Sequence, residues 1–297
     1  MTGREPAKTL GPVGVWSMEL RGAGSPAVQA AAAELEELGL RALWIPGLDG
    51  NGVFDDADRL LAAAPRSSVV LGVLGIWGQP ADDVASRVAR LDRTHGPRTV
   101  VGLGVSDPGS AKKHGQDFGN PIDSMGTYLD GLDASATPLP ASRRLLGAMG
   151  PRMVTLAASR TAGVHPFLVT PQYSADQRAA IGPEPLIAPH QAIVLDTDPE
   201  RARAAARAGV GMFIGFPAYQ NNLRRLGYGD SDLVPGGSDR LIDALVAWGG
   251  IEDIQKRLRE HLDAGADHVA VHVLGGDDLP LSQWRELAAL LPSLTAR

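Results

Sequence analysis

Residues 69–106 constrain the fold more than any other stretch of this 297-residue chain. They read VVLGVLGIWGQP, then an amphipathic segment, then RTVVGLGVS. Two apolar runs of strand length fade into glycine, and between them Val84, Val88 and Leu91 recur at helical spacing. Pro80 stands at the first helical position, Asp82 and Asp83 fall in the first turn, and Gly96 with Pro97 stops the helix. Strands apolar on both faces and joined by one covering helix predict a parallel βαβ unit. In parallel α/β folds the loops after the strands carry the chemistry. Glycines gathered there let something flat or phosphorylated approach the backbone.

The alternation runs the length of the chain. Strands are predicted over residues 13–16, 42–46, 69–75, 99–104, 144–148, 164–169, 192–196 and 269–274. Helices are predicted over residues 26–38, 56–64, 80–95, 122–134, 151–162, 199–208, 239–247, 251–264 and 282–291, with a further one over 212–226 broken near Pro217. Eight strands with intervening helices predict an α/β fold, a (β/α)8 TIM barrel in a single domain over residues 1–297. A doubly wound open sheet is the alternative, since the first and fifth strands are weak. Residues 107–121 and 227–237 are polar and lack periodicity, so they are expected as mobile loops bordering the mouth of the barrel.

A net charge of −6 gives no basic footprint for nucleic acid or an anionic membrane. The absence of cysteine removes disulfides, thiolate nucleophiles, Cys-ligated zinc and iron–sulfur clusters. The N-terminus MTGREPAKTLGPVG is polar, with no signal-peptide core, and no apolar run approaches the ~20 residues of a membrane span. A soluble cytoplasmic protein without nucleic-acid or membrane partners is the expectation.

Motif chemistry is sparse. Gly102-Leu103-Gly104 is not followed by the rest of a dinucleotide fingerprint, and Walker A, HExxH and GxSxG sequences are absent. His268 and His272 share one strand face but stand about 13 Å apart, too far for one metal, so no metal site is expected. His272 reads as a satisfied polar residue of the barrel interior, His190 as structural, and His95 as a complement to a helix C-terminus. Glu19, Asp49, Asp107 and Asp196 near strand ends read first as caps and solvated loop residues. Trp16, Trp44 and Trp77 lie at or near strand ends, where an indole either stacks on a planar ligand or packs the barrel.

Several segments together give the chain a likeness. GLRALWIP, VVLGVLGIWGQPADDVASRVARLD, PRTVVGLGVS, LLGAMGPRMVTLAASRTAGVHPFLVTP and GADHVAVHVL follow one another in order over nearly the whole chain. In these segments the sequence resembles the bacterial luciferase-like superfamily of flavin and deazaflavin oxidoreductases, and within it the group using coenzyme F420. The resemblance implies a small-molecule substrate, hydride transfer, F420 bound more tightly than FMN, and a homodimer formed through helices of the first half of the barrel. A luciferase-like monooxygenase using reduced FMN is the alternative, and a ligand-binding barrel without catalysis is another.

It also implies a place for the cofactor, at the C-terminal mouth. The third strand would bulge at Gly72, Val73 and Gly75, with a cis peptide between Gly72 and Val73. Gly104, Val105 and Ser106, and then Met149 and Gly150, would approach the cofactor's tail; Gly150-Pro151 opens a helix whose free N–H groups suit a phosphate. Trp16, Leu48 and Trp77 would line the substrate pocket. Deazaflavin dehydrogenases of the superfamily carry an Asp-His pair after the second strand. Gly47 and Leu48 occupy those positions here, so no catalytic proton donor is nominated.

Overall fold

The computed structural model describes residues 9–276 and 279–295; the polar stretch read at residues 1–8 lies outside them. Among the described residues there are ten strands: β1 Val13–Trp16, β2 Ala42–Ile45, β3 Ser68–Gly75, β4 Thr99–Gly104, β5 Arg144–Leu146, β6 Gly163–Val164, β7 Leu186–Ile187, β8 His190–Val194, β9 Val246–Trp248 and β10 Val269–Val273. All neighbours pair in parallel, in the order β7-β6-β5-β4-β3-β2-β1-β10-β8-β9.

Two strands in that order are one run of chain. Only Ala188 and Pro189 separate β7 from β8. The ladder continues through them on both sides: Ala188 N–H donates to the Val164 carbonyl and His190 N–H to that of Pro166, while Ala270 N–H donates to that of Pro189. The run therefore pairs with β6 on one edge and β10 on the other, and β10 pairs with β1. This closes the curled sheet as an eight-stranded (β/α)8 barrel, with β9 an added short strand on the upper edge of β8.

Helices cover the outside: α1 Pro26–Glu37, α2 Val53–Ala63, α3 Ala81–His95, α4 Pro108–Lys113, α5 Pro121–Ala134, α6 Pro151–Arg160, α7 Pro171–Ile181, α8 Pro199–Val210, α9 Pro217–Arg225, α10 Asp239–Leu245, α11 Ile251–Asp263, α12 Leu281–Ala289 and α13 Leu291–Thr295. Many start on proline, whose missing N–H costs nothing at the first turn. Ser25, Asp107, Asn120, Thr170, Asp198 and Ser238 accept the orphan N–H groups there. Helices α3 and α5 approach closely: a Cβ at Gly131 of α5 would stand 3.0 Å from that of Ala81.

The structure differs from the sequence expectation in its second half. Helix α7 was not anticipated, because it buries only Tyr173 and Ser174 and so lacks an apolar stripe. Strand β6 ends at Val164 rather than residue 169, just before His165 and Pro166. The strand expected over 192–196 begins at His190, and β9 lies where the apolar spacing of α10 was read on to residue 247. Residues 107–121 are not wholly loop: Asp107 caps the short helix α4, accepting from Gly109 and Ser110 N–H.

Candidate active site at the barrel mouth

The end of β3 shapes the mouth. Leu71 pairs with Val101 and Leu74 with Leu103, so Gly72 and Val73 together oppose Gly102 alone. This is a β-bulge, and the Gly72–Val73 peptide within it is cis. A Cβ on Gly72 would meet the Trp44 ring at 2.9 Å, and His165 Nε2 and Trp16 Nε1 at 3.2 Å each. Val73 instead fills space that three glycines leave. Cβ atoms at Gly102 and Gly104 would each come within 2.9 Å of its methyls, and one at Gly147 within 3.4 Å. Gly104, read from sequence as a cofactor contact, is thus first of all room for the bulge. Gly75 is uncrowded, with Leu48 O at 3.7 Å from a Cβ there.

The bulge also explains the residues after β2. Gly47 N–H donates to Val73 O at 3.2 Å, and a Cβ on Gly47 would lie 2.4 Å from Leu74 Cα and 2.6 Å from Val73 O. No side chain fits at that position. Leu48, beside it, is in the left-handed region (φ 48°) and 56% exposed at the rim. Ser106 after β4 is also left-handed (φ 51°), its hydroxyl bonded to Asp107 and Ser110. Val105 O accepts from Trp77 Nε1 at 2.6 Å. That indole is buried and packs against Phe118 at 5.7 Å, while Gly78 N–H donates to Gln116 Oε1. Trp77 therefore ties residues 107–120 to the barrel rim.

Across the mouth, α6 opens at Gly150 with no side chain capping its first N–H groups. Tyr173 of α7 fixes the approach, its hydroxyl donating toward Ala148 O (3.1 Å) and Met149 O (3.3 Å). An Arg225 amine nitrogen stands 3.8 Å from where a Gly150 Cβ would be. Arg225 makes no ion pair among the described residues; it reaches Asn222 Oδ1 at 3.4 Å, and Asn222 Nδ2 is buried without a partner. Beside Arg225 a cleft of about 400 Å³ runs out between α7, α9, α10 and α11, lined also by Thr170, Gln172 and Arg257. An uncapped helix start beside a cation without an ion pair favours an anion in physical terms, while Asp176 and Glu260 line the outer part of the cleft.

The lumen under the mouth is filled by indole and imidazole rings as well as aliphatic side chains. In one layer Trp44 stacks on His165 (4.3 Å, 26°) and His268 (5.4 Å, 24°) and donates to His268 Nε2 at 2.9 Å. His268 Nδ1 contacts Gly11 O and His165 Nδ1 contacts Ala188 O, each at 2.7 Å. In the other layer Trp16 donates to Gly72 O at 2.9 Å and lies against His272 (4.4 Å), His190 (5.1 Å) and Phe167 (6.2 Å). His190 Nε2 and His272 Nδ1 are 3.1 Å apart. Burial pushes His165, His268 and His272 down to about 4, and burial followed by its histidine neighbours holds His190 well below the usual imidazole value. His190 belongs to β8 and its ring lies in this upper layer, not before the strand as read from sequence. Phe213 and Tyr219 continue the aromatic cluster from Phe167. Phe167, Tyr219, Asn222 and Arg225 carried no sequence signal beyond residue type.

Among the described residues no group of histidine and acidic side chains could hold a metal. The acidic residues near strand ends act locally. Asp107 caps α4, Asp49 accepts from Asn51, and Asp196 pairs with Arg201. His95 pairs with Asp58 at 2.7 Å.

The same (β/α)8 architecture is found in solved structures. The chain is similar over 96% of its length to the coenzyme F420 dependent tetrahydromethanopterin reductase of Methanopyrus kandleri, covering 99% of it (TM-score 0.71, 17% identity). An F420-dependent secondary alcohol dehydrogenase in complex with an F420–acetone adduct matches over 96% of this chain and 99% of its own (TM-score 0.66, 12% identity). So does the oxygenating constituent of 3,6-diketocamphane monooxygenase from Pseudomonas putida, in complex with FMN, over 97% and 98% (TM-score 0.64, 11% identity). At these identities the likeness is one of fold. No protein-family model and no curated protein matches the sequence.

Proposed function

We propose that the chain is an oxidoreductase using a deazaflavin, coenzyme F420, to move a hydride to or from a small organic substrate. The observation that carries the reading is one juxtaposition: the β3 bulge on one side of the mouth, and the uncapped start of α6 beside Arg225 on the other. A flat ring with a phosphate-bearing side chain suits those two features together. Gly72, Val73 and Gly75 would support the ring, Val105, Ser106, Met149 and Gly150 the side chain, and Arg225 the phosphate. Bound deazaflavin supplies a carbon that gives or accepts the hydride. Trp16 and Leu48 border the space left for substrate, and the chain's own part is to orient that substrate and exclude water.

FMN shares the ring shape and the phosphate, and an FMN-bound monooxygenase is among the similar structures, so the FMN enzyme is the second reading. Absorbance titration with both cofactors separates them. Tighter binding of F420 is expected. Equal or tighter FMN binding, or oxygen uptake through bound reduced FMN, overturns F420 in favour of FMN, and binding of neither overturns both.

A further inference from the structure

We propose that His272 is the hydrogen-bond donor to the oxygen of a substrate carbonyl whose carbon takes the hydride from the reduced deazaflavin, the resulting alkoxide then taking its proton from water at the mouth, and that His190 holds His272 in the donating tautomer. The inference rests on the oxidoreductase reading above and supplies what the site lacks after β2, where Gly47 has no room for a side chain.

The tautomers follow from the hydrogen-bond network. His190 Nδ1 is buried and forms no hydrogen bond of normal geometry, although the ring lies close enough to its own backbone to feel it. A bare ring nitrogen is tolerated there far better than an orphaned N–H. The His190 proton therefore sits on Nε2 and points at His272 Nδ1, 3.1 Å away. His272 Nδ1 is thereby an acceptor, and the neutral ring carries its own proton on Nε2.

That atom has no hydrogen-bond partner among the described residues. His272 stands next to the last residue of β10 and keeps part of its surface open, unlike His165, His190 and His268. The ring is held at 4.4 Å on Trp16, whose indole N–H is bonded to Gly72 O in the bulge. The donor thus faces the mouth at a fixed place relative to the surface proposed to carry the cofactor ring. Burial keeps the imidazole neutral at pH 7. A neutral donor in a dry site can follow charge as it builds on oxygen without a buried cation having to be maintained in the resting protein.

The test begins on cofactor-free protein with long-range proton–nitrogen NMR of histidine-labelled chain. Expected are Nε2–H tautomers for His272 and His190 at pH 7. An Nδ1–H or a cationic His272 overturns the proposal. His190→Leu should let His272 populate both tautomers, and His190→Gln, whose amide can still donate, should restore the single one; equal behaviour of the two variants overturns the positioning role. Cyclohexanone added to protein loaded with oxidised F420 should then shift the His272 Nε2–H proton, and no shift overturns the contact. With a ketone substrate His272→Leu should lower kcat about a hundredfold with cofactor Kd within twofold, and His272→Gln should recover most of it. An unchanged kcat in His272→Leu overturns the role. The tautomers need no cofactor, so failure of F420 to bind is read separately.

Discussion

The two Trp–His layers of the lumen are made of the same residue types and do opposite things with them. Around Trp44 the rings are near-parallel, and both nitrogens of His268 are bonded, one to the indole and one to backbone. Around Trp16 the rings are tilted or edge-on, the imidazoles bond each other, and one of them is open to the mouth. The Trp44 layer, closed to the mouth and with His165 Nε2 its one unbonded ring nitrogen among the described residues, behaves as core. A layer with a half-used histidine pair is poised to meet a ligand. Identical chemistry thus reads as structure or as function according to where the last polar atom points.

The largest effect expected from this contrast is on acid stability. The folded state holds His165 and His268 near 4 and His261, bonded to Ser174 and Gln191, near 3, against 6.5 for a free imidazole. Above pH 6.5 both folded and unfolded chains are neutral at these sites and nothing is lost. As pH falls below 6.5 the unfolded chain takes up protons that the folded one refuses, so stability drops until the folded values are passed. At pH 5 the loss is about 2 kcal/mol for each sealed histidine, several kcal/mol together. Urea midpoints at pH 7.5 and 5 measure it. His268→Gln and His272→Phe should each flatten the pH slope by a similar amount, since burial holds both imidazoles near 4; a slope left unchanged by His268→Gln would mean that its ring is not sealed.

Truncating the indoles probes the same contrast directly. Trp44→Ala removes a fully buried ring and both of its stacking partners, and should cost about 3–5 kcal/mol in chemical denaturation. Trp16→Leu keeps an apolar filler but loses the bond to Gly72 O, and should weaken cofactor binding more than it lowers stability. Next in size is the bulge. Gly47→Ala drives a methyl into the backbone of Val73 and Leu74 and should cost about 1–3 kcal/mol. Gly47→Asp should be at least as harmful, with no gain in activity, because the site lacks space rather than merely a carboxylate.

The barrel's first half was legible because β2 to β4 and α1 to α3 each obey one local rule, apolar runs for the strands and an apolar stripe for the helices, with Ser25 capping α1. Beyond residue 163, α8, α11 and β10 read as well, but β6, β7 and α7 did not, because there the decisive contacts are long-range. Strand β6 has two residues and β7 two, and each is recognised as a strand only through its neighbour. Helix α7 hides behind a weak stripe although Thr170-Pro171 marks its start. At the site, the glycines of the β3 bulge stood out locally and the cis peptide was expected there from the resemblance. Val73's fit over Gly102, Gly104 and Gly147 could not be seen, nor the meeting of His190 with His272 across 82 positions. Residue type shows that a histidine is present, and only the packed barrel shows whether both its nitrogens are used.

The smallest effect, and the one that separates binding from folding most cleanly, is at Arg225. This exposed side chain closes no ion pair among the described residues and sits beside Gly150, where α6 leaves its first N–H groups uncapped. Removing it loses one long bond to Oδ1 of the buried Asn222 and no ion pair, so thermal stability should fall only a little. A phosphate-bearing cofactor should nevertheless bind about tenfold more weakly to Arg225→Ala, or about 1.4 kcal/mol, with Arg225→Lys in between because an ammonium keeps the charge without the fork. The difference should shrink as salt rises from 0.05 to about 0.5 M, because an exposed pair is screened over roughly a Debye length. A salt-independent loss, or a fall in Tm as large as that of Trp44→Ala, would place Arg225 with the sealed layer rather than with the mouth.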